Sequence, residues 1–248
     1  MTWSFDARIH RASELACSQP AARDLLNFYA ELARFQKPIF EKFQSSAETD
    51  LSALSAYFPP LIELVARSGP PGLAGTGKER LTSAETLLHA AWQDHALTDD
   101  PTGRFFARVL LQPYAEYLAS RGHIHAEPET RNCPFCNALP TAGVLRGEGD
   151  GAKRWLLCSL CSTEWPFRRV LCPHCGEEDK DRLPIYTAQQ IPWVRVDACD
   201  TCGSYLKSIN LTIDGHAVPL VDEIATVALN LWAEEHSYSK LETNLLGM

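Results

Sequence analysis

The residues of this sequence with the clearest chemistry are eight of its nine cysteines, which form four Cys-x-x-Cys pairs. A Cys-x-x-Cys turn directs both sulfurs at one metal ion, and two such turns supply the four sulfurs of a tetrahedral shell. The pairs therefore predict two four-cysteine metal sites with all eight cysteines as ligands. The first site consists of Cys133, Cys136, Cys158 and Cys161, and the second consists of Cys172, Cys175, Cys199 and Cys202.

The spacing of the pairs repeats along the chain. Within a set, 21 residues separate the two pairs of the first site and 23 separate those of the second, close to the spacing of zinc ribbons. Cys133 and Cys172 are 39 residues apart, and Cys158 and Cys199 are 41 residues apart. Each unit begins with Cys-Pro-x-Cys and ends with its second pair. Two tandem copies of one small module, each closing its own site, are therefore expected.

The cysteines do not identify the metal, because a four-sulfur tetrahedron suits Zn²⁺ and a single iron ion equally. Four thiolates around a divalent ion leave a charge of about −2 at each site. Residues 131–215 contain ten basic and ten acidic side chains, and the whole chain has a net charge of −8. Because the cysteine-rich segment becomes negative when loaded, the nucleic-acid partner that zinc ribbons otherwise suggest is not expected.

The elements that position these sites begin with a helical region. Apolar residues recur at three-to-four spacing between residues 21 and 43, and Pro38 is predicted to break or kink that helix. A second segment, from Leu51 to Val65, contains a predicted break at Pro59–Pro60, and glycine and proline predict a loop over residues 68–77. Two further helices are predicted, from Lys78 to about Leu97 and from Pro101 to about Ser120.

The composition changes at Arg131, where the cysteines and short β-favouring runs begin. Strands are predicted at residues 154–157, 183–186 and 193–196, and a last helix is predicted from Val221 to Leu246. The expected fold class is α+β, with an N-terminal all-α helical domain, two tandem rubredoxin-like or zinc-ribbon four-cysteine modules and a C-terminal helix. The predicted boundaries are 1–126 for the helical domain, 127–170 and 171–216 for the modules, and 217–248 for the C-terminal helix and tail.

With these motifs in place, the chain resembles the FdhE family of formate dehydrogenase accessory proteins over essentially its whole length. The resemblance rests on the four Cys-x-x-Cys pairs at these spacings, on the segment Phe105–Ala119 and on the tail Tyr238–Met248. It implies a cytoplasmic protein that assists maturation of the catalytic subunit of a respiratory, molybdenum-containing formate dehydrogenase before export by the twin-arginine route. It also implies rubredoxin-like sites that hold iron, with zinc as the alternative.

The residues themselves leave two other functions open. One is a redox protein, acting by rubredoxin-like electron transfer or thiol exchange, because iron in a four-sulfur site is redox-active and Cys-x-x-Cys pairs can lower a thiol pKa. The other is a zinc-ribbon nucleic-acid-binding protein, which the lack of a basic segment disfavours. The sequence begins without the apolar core of a signal peptide and contains no run long enough to span a bilayer, so a cytoplasmic protein without membrane insertion is expected. A homodimer is left open.

Several other features are expected to carry no site chemistry. Gly72–Lys78 matches most of a phosphate-binding loop but is not followed by the Ser or Thr that coordinates Mg²⁺. His123 and His125 are expected in a solvated linker, because both four-cysteine sets are already complete. His174 is expected to point outward from its turn, and Cys17 is expected to be a small buried residue on a helix. Since no catalytic triad or acid–base pair is visible, we expect a binding protein rather than an enzyme.

Overall fold

The structure, a computed structural model, describes residues 4–46, 50–93, 100–122, 125–127, 129–149 and 151–248. The N-terminal half is helical, as predicted. Its helices are α1 (Phe5–Ser18), α2 (Arg23–Ser45), α3 (Phe58–Ser68), α4 (Leu73–Glu79), α5 (Ala84–Gln93) and α6 (Pro101–Ser120). Short 3-10 helices lie at Pro20–Ala22, Leu51–Tyr57 and Leu81–Ser83.

Helix α6 forms the centre of the helical region. Asp100 caps its first turn by accepting a hydrogen bond from the Gly103 amide at 2.9 Å. Pro101 occupies the first helical turn, where a missing N–H removes no hydrogen bond. Most residues of α6 are buried, because α2 and α5 cover one side and the residues around the first cysteine set cover the other. A helix that is buried on all sides connects the helical region to the cysteine-rich region.

Two predictions about the helices are wrong in part. Helix α2 continues without a break through Pro38, because this proline lies on the exposed side, where water can satisfy the freed carbonyl. The loop that glycine and proline predict over residues 68–77 is confirmed only for residues 69–72, because helix α4 begins at Leu73. Gly77 lies so close to the Phe106 ring that a Cβ at this position would be 2.4 Å from Phe106 Cζ, so this glycine serves close packing within a helix.

The remaining helix boundaries differ less from prediction. Pro59 and Pro60 lie in the first turn of α3, directly after the 3-10 helix that ends at Tyr57, which confirms the predicted break. Helix α5 begins at Ala84 rather than at Lys78. Its predicted end near Leu97 lies outside the described residues.

The cysteine-rich region forms one sheet. Its strands are β1 (Pro140–Glu148), β2 (Gly151–Cys158), β3 (Glu164–Phe167), β4 (Ile185–Thr187), β5 (Val194–Ala198), β6 (Ser204–Asn210) and β7 (Ser239–Lys240). The strand order is β3-β2-β1-β6-β5-β4, with β7 paired to β6. The strands of each cysteine unit pair antiparallel, and the parallel pairing of β1 with β6 joins the two units. The tandem modules therefore share a single sheet.

The two faces of this sheet are covered by different layers. One face, with Val144, Leu157 and Ile209, packs against helix α7 (Pro219–Ala225), and helix α8 (Val227–Glu235) continues this layer. The other face contributes buried residues such as Leu156, Trp165 and Leu206 to the same core as the N-terminal helices. This arrangement confirms the expected α+β class, while the predicted domain boundaries stay a prediction.

The C-terminal tail is not helical. The sequence predicts a helix to Leu246, but the last helix ends at Glu235 and the chain then forms β7. The Leu241 amide donates to the Tyr205 carbonyl at 2.9 Å, and the Glu242 carboxylate pairs with Arg108 at 3.2 Å. These contacts with two other parts of the chain outweigh local helix propensity. None of the helices in the described part of the chain is long and apolar enough to cross a membrane.

Candidate metal centres

All four Cys-x-x-Cys turns have the same backbone geometry. In each turn the residue after the second cysteine adopts a positive φ: 62° at Asn137, 54° at Ser162, 82° at Gly176 and 67° at Gly203. This conformation lets the chain reverse and bring both sulfurs to one side. Glycine and asparagine adopt it readily, whereas Ser162 does so at a steric cost. The glycines that follow Cys175 and Cys202 therefore adopt the turn without the steric cost that Ser162 incurs.

Backbone hydrogen bonds close the turns in matching pairs. The Cys133 amide donates to the Ala138 carbonyl at 2.8 Å, and the Cys172 amide donates to the Glu177 carbonyl at 2.9 Å. In the second turn of each unit, the Cys158 and Cys199 amides donate to the carbonyls five residues ahead, both at 2.9 Å. The repeat visible in the sequence is therefore also a repeat of local structure.

The first cluster contains Cys133, Cys136, Cys158 and Cys161. Its Sγ–Sγ distances are 3.5 Å between Cys133 and Cys161, 3.4 Å between Cys136 and Cys158, and 3.6 Å between Cys136 and Cys161. Three of its four cysteines are buried. The Cys158 sulfur also accepts hydrogen bonds from the Leu160 and Cys161 amides, both at 3.4 Å, as a thiolate in such a turn requires.

The second cluster contains Cys172, Cys175, Cys199 and Cys202. Its Sγ–Sγ distances are 3.8 Å between Cys172 and Cys202 and 3.7 Å between Cys175 and Cys199. Cys175 is exposed and Cys202 is half-buried, so this cluster is more accessible than the first.

Both clusters fit a tetrahedral metal ion. A metal–sulfur distance of about 2.3 Å corresponds to edges of about 3.8 Å between the sulfurs of a regular tetrahedron. The Sγ atoms of each cluster all lie within 4.8 Å of one another, and the closest pairs lie at 3.4–3.8 Å. Each four-cysteine set could therefore hold one metal ion after a small adjustment of its side chains.

The crowding of the sulfurs separates the pKa values of the cysteines. Hydrogen bonds with Cys136 and the other two sulfurs lower the pKa of Cys133, whereas burial raises the pKa of Cys158. Burial opposes ionisation of Cys202, but the Ser204 hydroxyl, with its Oγ 3.0 Å from the sulfur, lowers the pKa of Cys202 to about 6. The cysteines of one cluster therefore titrate as a coupled group, and a bound metal ion would replace the protons that remain on them.

Polar contacts connect the first cluster to the helical region. The Ser162 hydroxyl, directly after Cys161, donates to Glu116 of α6 at 2.6 Å. Arg108 of α6 donates to the Ser159 carbonyl at 2.9 Å, inside the second turn of the same cluster. Neither Arg108 nor Glu116 is predicted from the sequence. The signal that could have found them is the presence of charged residues in a helix whose other positions are mostly apolar.

The other candidate residues belong to neither four-cysteine set. His125 belongs to neither cluster, and His123 lies outside the described residues. His174 is exposed, but its side chain hydrogen-bonds Cys202 of the second cluster, so the prediction that it points away from its turn is only partly right. The prediction for Cys17 is wrong: it lies on helix α1 as expected, but it occupies the exposed face of that helix. Helix α4 takes the place of the partial phosphate-binding loop.

Comparison with known proteins agrees with this geometry. The family model for the FdhE central domain matches residues 132–169, and the model for the FdhE C-terminal domain matches residues 170–246. An FdhE homolog of Aquifex aeolicus is 33% identical, with the alignment covering 81% of this chain and 72% of that protein. An FdhE homolog of Pseudomonas aeruginosa is 30% identical over 98% of this chain and 89% of that protein.

The chain belongs to the FdhE family. The crystal structure of the FdhE protein from Pseudomonas aeruginosa superposes with a TM-score of 0.76 at 26% identity, covering 98% of this chain and 95% of that one. The helical region is thus part of the family fold as well. The boundary between the two FdhE family models, at residues 169 and 170, places one cysteine cluster in each.

Proposed function

We propose that this chain is an accessory protein for the formation of active formate dehydrogenase, and that it acts by binding the catalytic subunit of that enzyme. One observation carries the proposal: both four-cysteine clusters are complete on a fold that matches an FdhE protein over 98% of the chain. Its role is to bind and assist an unfinished protein, so no turnover by the chain itself is required.

Each cluster is proposed to bind one metal ion through its four cysteines. Iron is favoured and zinc is the alternative, because both accept a tetrahedral four-sulfur shell. When bound, the ion supplies folding free energy to a small module and, in the case of iron, one-electron redox chemistry. The chain's own residues close the turns and shield the first cluster against α6, which keeps that site rigid.

The proposed client is the catalytic subunit of a respiratory, molybdenum-containing formate dehydrogenase. We place the interaction in the cytoplasm, before the client is exported by the twin-arginine route. Binding at this stage gives an accessory protein access to a subunit that is not yet in its final complex. A homodimer is compatible with this role but is not required by it.

The test combines association with activity. In a host that lacks its own gene for the accessory protein, the tagged chain should restore formate dehydrogenase activity and co-purify with the catalytic subunit. Cys175→Ser should reduce both readouts, because it removes one ligand from the second cluster. Cys17→Ser is the matched control: it makes the same substitution at an exposed cysteine outside both clusters, and it should behave like the parent.

Failure of the parent chain to associate with the catalytic subunit, in a host that makes both proteins, would reject this function. A second rejecting result is full activity in variants that have lost both clusters. Metal analysis and an absorption spectrum of the anaerobically purified protein would separately decide between iron and zinc.

A second function, one-electron transfer to or from a protein partner, is favoured by one feature of the second cluster. Cys175 is exposed, so an ion at this site lies close to the surface, where electron exchange with a partner is fastest. Reversible bleaching of an iron–sulfur absorption band by a chemical reductant would support this function. Colourless, zinc-loaded protein with full maturation activity would exclude it.

A further inference from the structure

A group of charged side chains lies beside the second cluster. Arg154 of β2 and Arg195 of β5 both contact the Asp197 carboxylate, with Arg154 Nη2 at 3.4 Å and Arg195 Nε at 2.7 Å. Together with Arg169 they line a cavity of about 40 Å³ whose wall also includes Cys172 and Cys199. We call these three arginines and Asp197 the arginine cluster.

The arginine cluster contains more positive than negative charge. Arginine keeps its proton at all ordinary pH values, so three guanidinium groups face a single carboxylate and leave an excess of about two positive charges. The Asp197 carboxylate also has a partner outside the arginine cluster, because it accepts a hydrogen bond from the Ser208 hydroxyl at 2.6 Å. Arg169 is exposed to solvent, but the charge on the buried Arg154 is costly unless an opposite charge lies nearby.

Arg154 is the most enclosed member of the arginine cluster. Its side chain is only 4% exposed, and its Nε has no hydrogen-bond partner among the described residues. Its Nη1 donates to the Leu171 carbonyl at 3.2 Å, one residue before the Cys172 ligand position. Burial lowers the pKa of Arg154, with Asp197 acting in the opposite direction. This guanidinium is therefore held against the first turn of the second cluster.

The second cluster lies next to the cavity and, with a metal ion bound, would supply the negative charge that the arginine cluster lacks. Four thiolates around a divalent ion carry about −2, which balances the excess of about +2 on the arginine cluster. We propose that the arginine cluster is the counter-charge of the second metal site, and that it sets the metal affinity and, with iron, the reduction potential of that site. This inference rests on the proposal that the second cluster binds a metal.

The sign of each effect follows from electrostatics. Positive charge near the sulfurs stabilises the loaded, negative site, so removing a guanidinium weakens metal binding. It also stabilises the ferrous site, which carries one more negative charge than the ferric site, so the same removal lowers the reduction potential. Removing the Asp197 charge has the opposite effects, because it increases the positive excess.

The experiment uses this difference in sign. Zinc affinities of the full-length chain are measured by competition with a chromophoric chelator, and Cys175→Ser identifies the signal of the second site. Arg154→Gln is expected to weaken the second site by about 10–100-fold, the usual effect of losing an outer partner of a metal ligand. Asp197→Asn is expected to tighten it, and neither variant should change the first site.

Two further variants guard against effects on folding. Arg169→Gln removes an exposed guanidinium of the arginine cluster, so it should fold normally and weaken the second site to a smaller extent. Arg146→Gln is the matched control, because Arg146 pairs with Glu164 at 2.9 Å and does not line the cavity. With iron, Arg154→Gln should lower the reduction potential of the second site, and Arg146→Gln should leave it unchanged.

The outcomes separate this inference from the proposed function. Equal weakening by Arg154→Gln and Asp197→Asn would show a purely structural role and overturn the inference. Unchanged affinity in Arg154→Gln and Arg169→Gln would overturn it as well, while leaving the metal sites intact. A parent chain whose second cluster binds neither zinc nor iron would overturn both the inference and the proposed metal function.

Discussion

Replacing Arg8 with methionine is expected to destabilise the protein by about 3–5 kcal/mol, the usual cost of removing one partner from a buried ion pair. Arg8 of α1 pairs with Glu116 of α6, with Nη1–Oε1 at 2.9 Å and Nη2–Oε2 at 3.0 Å. The two side chains are 0% and 2% exposed, so water cannot replace the missing guanidinium. The Ser162 hydroxyl donates to the same carboxylate at 2.6 Å, which extends the pair to the first cysteine cluster.

The free energy of unfolding that is lost when Arg8 is replaced by methionine has an upper limit. Burial already raises the pKa of Glu116, so the carboxylate can take up a proton once Arg8 is gone and thereby lose its unpaired charge. Replacing both residues by apolar ones of similar volume, as in R8M/E116L, should recover most of the lost stability, because no buried charge then remains. The Ser162 hydroxyl is left without its acceptor in that variant, which retains a loss of about 1–3 kcal/mol.

The assay is urea unfolding of the parent, R8M, E116L and R8M/E116L, followed by circular dichroism at a fixed excess of zinc. The interaction energy from this double-mutant cycle measures the pair directly. A loss below about 1 kcal/mol in R8M, or a double variant as unstable as the sum of the single variants, would refute the argument. R8M should also speed zinc release from the first cluster and leave the second unchanged, because only the first contacts Glu116 through Ser162.

Three other predictions follow from the clusters and the buried core. Excess chelator should remove zinc in two phases, which a zinc indicator can follow. The fast phase is expected from the second cluster, where Cys175 is exposed, and the slow phase from the first cluster, where Cys158 is fully buried. Cys175→Ser should abolish only the fast phase. Burial opposes ionisation of Glu223, but two lysine ammonium groups lower its pKa to about 2. Its unfolded pKa is about 4.3, so acid titration of the unfolding free energy should show a loss of about 3 kcal/mol as the pH falls from about 5 to about 1. Glu223→Gln should show no such step. Gly143→Ala places a Cβ 2.2 Å from Ser208 Oγ and should cost about 1–3 kcal/mol in urea unfolding. Ser208→Ala should relieve most of that strain, and an unchanged loss in the double variant would contradict this cause.

The parts of the fold that the sequence predicts depend on short-range patterns. Three-to-four spacing predicts helices α2 and α6 because one helical face must be apolar when it packs on a core. Local preference is overridden at Pro38, which is tolerated on the water-exposed side of α2, and at Gly77, which packs closely against the distant Phe106. The prediction also fails for Cys17, since one residue in a helix carries too little information to place it on the buried or the exposed face.

The C-terminal tail is another segment in which the local pattern predicts the wrong structure. Residues after Glu235 resemble a helix in composition, but Leu241 pairs with β6 and Glu242 pairs with Arg108 of α6. A local pattern cannot anticipate these partners, because they lie far from the tail in the sequence. Only the folded chain offers both of them at once.

The sequence by itself determined the two four-cysteine sets, because the cysteines of each turn are three residues apart and a short turn is enough to bring their sulfurs together. The tertiary structure alone decided what surrounds them. The parallel pairing of β1 with β6 joins the modules, α6 encloses the first cluster, and Arg154 meets Asp197 beside the second. Partners such as Arg8 and Glu116 are 108 residues apart, so only the folded chain brings their charges together.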